Sequence, residues 1–82
     1  MLRKTLERRA ENITFDVSEK IRGTLTALES RAFVSLPLAK DEKELLRSLQ
    51  AIIVDVTNIQ VDARIAGEKL LDIYSKYESE AK

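Results

Sequence analysis

The segment Ala51–Gly67, with the sequence AIIVDVTNIQVDARIAG, decides the fold of this chain because it fits two different periods. Between Ile59 and Ala66, apolar and polar residues alternate, as they do on a half-buried β-strand. Over the wider segment, a second set of apolar residues recurs every three or four positions, which is the spacing of one helix face. This set consists of Ile52, Val56, Ile59, Ala63 and Ala66. We favour the helix and keep a strand over residues 51–66 as the alternative.

The composition limits both the stability and the chemistry of the chain. At 82 residues it is below the size at which a single apolar core is comfortably stable. It contains no Cys and no His, so disulfides are excluded and a zinc site is not expected. Helix packing or oligomerisation is therefore expected to supply the missing stability.

Charge and hydropathy give the first expectations about partners and compartment. Lys and Arg together number 14, as do Asp and Glu, so no net charge attracts nucleic acid or an anionic membrane. No apolar run approaches the length of a membrane span, and the N-terminus lacks the apolar core of a signal peptide. We expect a cytoplasmic protein with no membrane partner, no metal and no cofactor.

Pro37 divides the chain into two helical segments. Its ring disfavours helix at the preceding residue and ends a helix that arrives from the N-terminal side. Asp41 can then cap a second helix, and Glu44, three residues later, can complete a capping box. The sequence predicts a single helical-hairpin domain over residues 1–82, with helix 1 at about 2–35, a turn at about 36–40 and helix 2 at about 41–79.

Both segments carry a continuous apolar stripe, and the two stripes define a predicted core. Predicted partners such as Val17 and Ile59 have position numbers that add up to 76 or 77, and half of that sum lies close to Pro37. This agreement predicts an all-α, antiparallel, coiled-coil-like helical hairpin. The predicted core residues are Leu6, Ala10, Ile13, Val17, Ile21, Leu28, Leu45, Leu49, Ile52, Val56, Ile59, Ala63, Ala66, Leu70 and Ile73.

Some apolar residues lie outside these stripes and suggest a binding surface. We expect them to meet a second copy, in a four-helix bundle, or a larger partner protein. The predicted interface residues are Phe15, Phe33, Val54, Val61 and Ile65. On this hypothesis, Val61→Glu weakens association and leaves helix content unchanged. The function expected from the sequence is non-enzymatic protein binding, as an adaptor, an inhibitor or a structural subunit.

The sequence offers little that could perform catalysis. Its Ser and Thr residues have no imidazole partner, and no Gly-rich loop follows a strand, so we expect no enzyme activity. Asp55 and Asp62 are seven residues apart and could line a metal groove, but the Glu-x-x-His pattern of di-iron bundles is missing. We therefore expect both carboxylates on a solvated flank of the helix seam.

Nucleic-acid binding is the alternative function. The run NITFDVSEKIRGTLTAL, residues 12–28, resembles the opening of ribbon-helix-helix repressors, in which a short strand precedes an amphipathic helix. The resemblance implies a strand whose polar residues, here Thr14, Asp16 and Ser18, enter the major groove of DNA from a dimer. The basic N-terminal residues could then contact phosphates. These residues are Arg3, Lys4, Arg8 and Arg9.

Overall fold

The protein is a hairpin of two long helices. The computed structural model describes the backbone of residues 2–81 and the side chains of residues 3–79. Helix α1 spans Leu2–Ser30 and helix α2 spans Glu42–Ala81, and the described part of the chain contains no strand. The all-α hairpin is therefore confirmed. Ala51–Gly67 lies wholly within α2, so the strand alternative for this segment is wrong.

The first helix ends through a wider turn before Pro37. Residues Arg31–Ser35 form a π-helix, in which the amide of Leu36 donates to the carbonyl oxygen of Arg31 at 2.8 Å. The amide of Ala39 then donates to the carbonyl oxygen of Leu36 at 3.2 Å, across the proline. A π-turn contains an extra residue, so it rotates the side chains that follow it relative to the face of α1.

Helix α2 begins at the predicted capping box. The amide of Glu44 donates to Oδ1 of Asp41 at 2.8 Å, and the amide of Lys40 donates to Oε2 of Glu44 at 2.9 Å. Two amides at the start of the helix are thus satisfied by side chains. This confirms the start of helix 2 that the sequence predicts.

Removing the cap should loosen the start of α2. We expect Asp41→Ala to lower the free energy of unfolding by about 1 kcal/mol, because the amide of Glu44 loses its acceptor. Asp41→Ser, which retains a capping oxygen, should stay close to wild type. Urea unfolding of the three proteins at one concentration measures the difference, and equal stability of both variants would contradict the cap.

The two helices bury a narrow seam. Among the residues whose side chains are described, three apolar ones are buried, Leu6, Ala66 and Ile73, together with one charged residue, Asp55. The seam of α1 lies where the sequence predicts it. Its core residues are buried or half-buried: Leu6, Ala10, Ile13, Val17, Ile21 and Leu28.

Helix α2 is rotated from the predicted orientation. Five predicted core residues are buried or half-buried: Ile52, Ile59, Ala66, Leu70 and Ile73. Four others are exposed: Leu45, Leu49, Val56 and Ala63. Asp55 takes a buried place and Asp62 a half-buried place on the opposite edge of the seam. The predicted solvated flank is therefore wrong for Asp55, whereas Asp62 lies at the edge of the seam in an open, charged groove.

The register of the hairpin also differs from the predicted one. Leu6 and Ile73 line one groove, and Val17 and Asp62 line another, so the position numbers of facing residues add up to about 79 and not to 76 or 77. The chain therefore turns back near residue 40, after Pro37, in agreement with the start of α2 at Glu42. The long side chain of Arg31 reaches Asp55 from beyond the position directly opposite.

Candidate protein-binding face

A row of exposed apolar side chains runs along one side of α2. Ten positions at alternating steps of three and four form this surface, which we name the outer stripe. Its members are Leu46, Leu49, Ile53, Val56, Gln60, Ala63, Gly67, Leu70, Tyr74 and Tyr77. Leu46, Ile53 and Tyr74 are 64%, 64% and 62% exposed, and the row contains no charged residue. Apolar side chains exposed in such a continuous row mark an interaction surface.

One side of α1 lies next to the outer stripe. At the end of the hairpin far from the turn, Glu7 and Ala10 line the same groove as Tyr74 and Tyr77. Further along α1, helical spacing continues the row of Glu7 and Ala10 with apolar residues. These are Ile21 and Leu28, which are half-buried, and Leu25, which is exposed. The outer stripe and these three residues together are the apolar face.

The opposite face of the hairpin is charged. Two shallow grooves there lie between α1 and α2 and share Ile13, Ile65 and Lys69 in their walls. The charged residues along these grooves are Arg9, Asp16, Lys20, Asp62, Glu68, Lys69 and Asp72. The hairpin is therefore amphipathic across its two broad sides.

The interface residues predicted from the sequence are exposed, but the structure does not gather them on one surface. Ile65 lies in the charged grooves with Asp72. Phe15 lies on another side of α1, in a groove with Glu11 and Arg22. Val54 and Val61 are about half exposed, and Phe33 is 75% exposed in the π-turn. The outer stripe shares Leu49, Val56, Ala63 and Leu70 with the predicted core, so the sequence carried its signal but assigned these residues to the seam.

An ion pair crosses the seam near the closed end. Nη1 of Arg31, at the start of the π-turn, donates to Oδ2 of Asp55 on α2. The Asp55 side chain is only 9% exposed, whereas the Arg31 side chain is 42% exposed. Arg3 also pairs with Glu7 and Lys76 with Asp72, but these pairs lie on the surface within single helices. The Arg31–Asp55 pair differs from them because it joins the end of the first helical segment to α2 across the seam.

The structure lacks the strand that the resemblance to ribbon-helix-helix repressors implies for residues 12–18. These residues lie wholly within α1, because Leu2–Ser30 is continuous helix. Arg3, Lys4, Arg8 and Arg9 are all exposed, and Nε of Arg3 lies 3.1 Å from Oε1 of Glu7. These basic residues belong to the first turns of a helix and do not form a separate arm.

The described residues also bear on membrane and metal sites. No helix among them has an apolar stretch long enough to cross a membrane. Within the same part of the chain, no three carboxylates come together as ligands for a metal ion. The potential metal groove at Asp55 and Asp62 thus has no third acidic ligand among these residues.

Comparison with protein-family models, curated proteins and solved structures gives no match for this chain.

Proposed function

We propose that this protein is a non-enzymatic protein-binding module that acts through its apolar face, as an adaptor, an inhibitor or a structural subunit. The exposed outer stripe supports this proposal. Leu46, Ile53 and Tyr74 each expose more than 60% of their surface. Large side chains in a row without charge lose unfavourable contact with water when a complementary protein covers them.

The small core of the hairpin gives a second reason for a partner. Only Leu6, Ala66 and Ile73 are buried apolar residues among those described, and none of the large side chains there is less than 2% exposed. A domain of this size needs additional burial, a disulfide or a metal to be comfortably stable. The chain has no Cys. Burial of the apolar face against another protein would supply what the seam lacks.

A pair of charge substitutions on α2 tests which face binds. Ile53 lies on the outer stripe, and Val61 belongs to the surface predicted from the sequence; both are exposed, so Glu at either position leaves the seam intact. We expect Ile53→Glu to weaken association at least tenfold and Val61→Glu to change it less than twofold. Light scattering over a concentration range and retention of protein on the immobilised chain measure association.

The result of this comparison separates three hypotheses. Loss of binding in Ile53→Glu alone supports the apolar face. Loss in Val61→Glu alone would assign binding to the other side of α2 and contradict the outer stripe. A wild-type chain that binds neither itself nor any other protein would contradict the proposed function.

A further inference from the structure

We propose that the apolar face binds a second copy of this chain, with the two α2 helices antiparallel and related by a two-fold axis. This inference rests on the proposed function and names the partner of the same face. Two hairpins joined in this way form a four-helix bundle, and closed two-fold dimers are the commonest oligomers.

The outer stripe is complementary to itself in the antiparallel direction. Its first and last members, Leu46 and Tyr77, have position numbers that add up to 123. The same sum relates every other pair of facing positions: Leu49 with Tyr74, Ile53 with Leu70, Val56 with Gly67, and Gln60 with Ala63. The two-fold axis would then pass between residues 61 and 62. Near the ends of the stripe, large side chains meet large side chains.

Side-chain size favours antiparallel over parallel pairing. Gly67 has no heavy atom within 4 Å of the position that a Cβ would occupy, so its backbone is open to a partner. In the antiparallel arrangement, Val56 of the second copy fills this space. In a parallel arrangement, Gly67 would face Gly67 and leave a gap, which removes packing contacts.

The antiparallel arrangement also covers exposed apolar side chains near the start of α2. Leu46 and Leu49 lie in the first turns of α2 and are 64% and 38% exposed. They would be covered by Tyr77 and Tyr74 of the second copy. Gln60, the one amide side chain in the stripe, would lie beside the two-fold axis, where a polar core residue can fix the register of paired helices.

The accessible surface of the hairpin is large enough to include an interface with a second copy. Its accessible surface is 6693 Å². A compact monomer of 9.3 kDa exposes about 5,000 Å². The excess of roughly 1,700 Å² exceeds the ~800 Å² that each partner buries in a standard interface. The outer stripe is about 46 Å long, from its 1.5 Å rise per residue, and so follows most of the 61 Å length of the hairpin.

Cysteine cross-linking tests the partner and its orientation together. The natural chain has no Cys, so any introduced thiol is the only one present. We would prepare Leu46→Cys and Tyr77→Cys, both at exposed positions, and oxidise each alone and as an equimolar mixture after subunit exchange. Val61→Cys mixed with Tyr77→Cys is the control, because Val61 lies off the outer stripe. The mass of the wild-type chain is measured alongside by light scattering.

We expect covalent dimers in the Leu46→Cys and Tyr77→Cys mixture and none in either variant alone. Residues 46 and 77 of one helix are about 46 Å apart, whereas a disulfide requires Cα atoms within about 7 Å. Dimers in each variant alone would show parallel pairing and overturn the arrangement. A wild-type chain that remains monomeric would overturn the second copy as partner. The proposed function is tested separately: retention of another protein on the immobilised chain supports it, and no retention contradicts it.

Discussion

Arg31→Met should lower the free energy of unfolding by about 2–3 kcal/mol. The substitution keeps a long side chain in place but leaves the Asp55 carboxylate, which is 9% exposed, without its cationic partner. An unpaired charge in a protein interior costs about 3–5 kcal/mol when both partners are fully buried. We expect a smaller loss here because the Arg31 side chain is 42% exposed. Urea unfolding measures the loss, at one protomer concentration so that association does not alter the comparison.

Two further variants show whether the loss comes from the unpaired carboxylate. Arg22→Met removes an exposed ion pair with Glu19 on the same helix and should cost less than about 0.5 kcal/mol. The double variant Arg31→Met/Asp55→Leu removes both charges and should recover most of the lost stability, because an apolar pair can replace a buried ion pair. Equal stability of Arg31→Met and Arg22→Met would contradict a structural role for the pair.

Ile73→Ala should destabilise the hairpin by about 2–4 kcal/mol. Ile73 is 6% exposed and lines the same groove as Leu6, another buried apolar residue. Truncation removes buried methyl and methylene groups and leaves a cavity between the open ends of the helices. Thermal and urea unfolding at one protomer concentration measure the effect.

Leu71→Ala is the matched control for this truncation. Leu71 is a large aliphatic residue of the same helix, only two positions away, but it is 62% exposed. We expect its loss to cost less than about 1 kcal/mol, because few of its contacts disappear. If the two variants lost the same stability, the seam between α1 and α2 would not be where the structure places it.

The Arg31–Asp55 pair also agrees with the rotation of α2 that the structure shows. On the solvated flank predicted from the sequence, the Asp55 carboxylate would stay in water. In the structure it lies in the seam and accepts a hydrogen bond from Arg31. A buried carboxylate without such a partner is costly, so the pair favours the observed rotation. Polar core residues select one alignment in coiled coils in the same way.

The sequence by itself determined the two helices, the break at Pro37 and the capping box at Asp41. These features depend on residues that are close together in the chain: a periodic apolar row, a ring that prevents helix, and a side chain within reach of the next amides. The buried side of α1 was also predicted correctly, because the apolar residues at helical spacing in this helix are the ones that face α2.

Only the tertiary structure decided how α2 is rotated, in which register it packs and which apolar row stays exposed. Helix α2 has two adjacent apolar rows, and a period cannot tell which of them faces the other helix. The contact that does so joins Arg31 to Asp55, which are 24 positions apart in the chain. Taken alone, each of these residues has the character of a solvent-exposed charge. Their burial becomes favourable only when folding brings them together, and in this arrangement the outer stripe stays exposed.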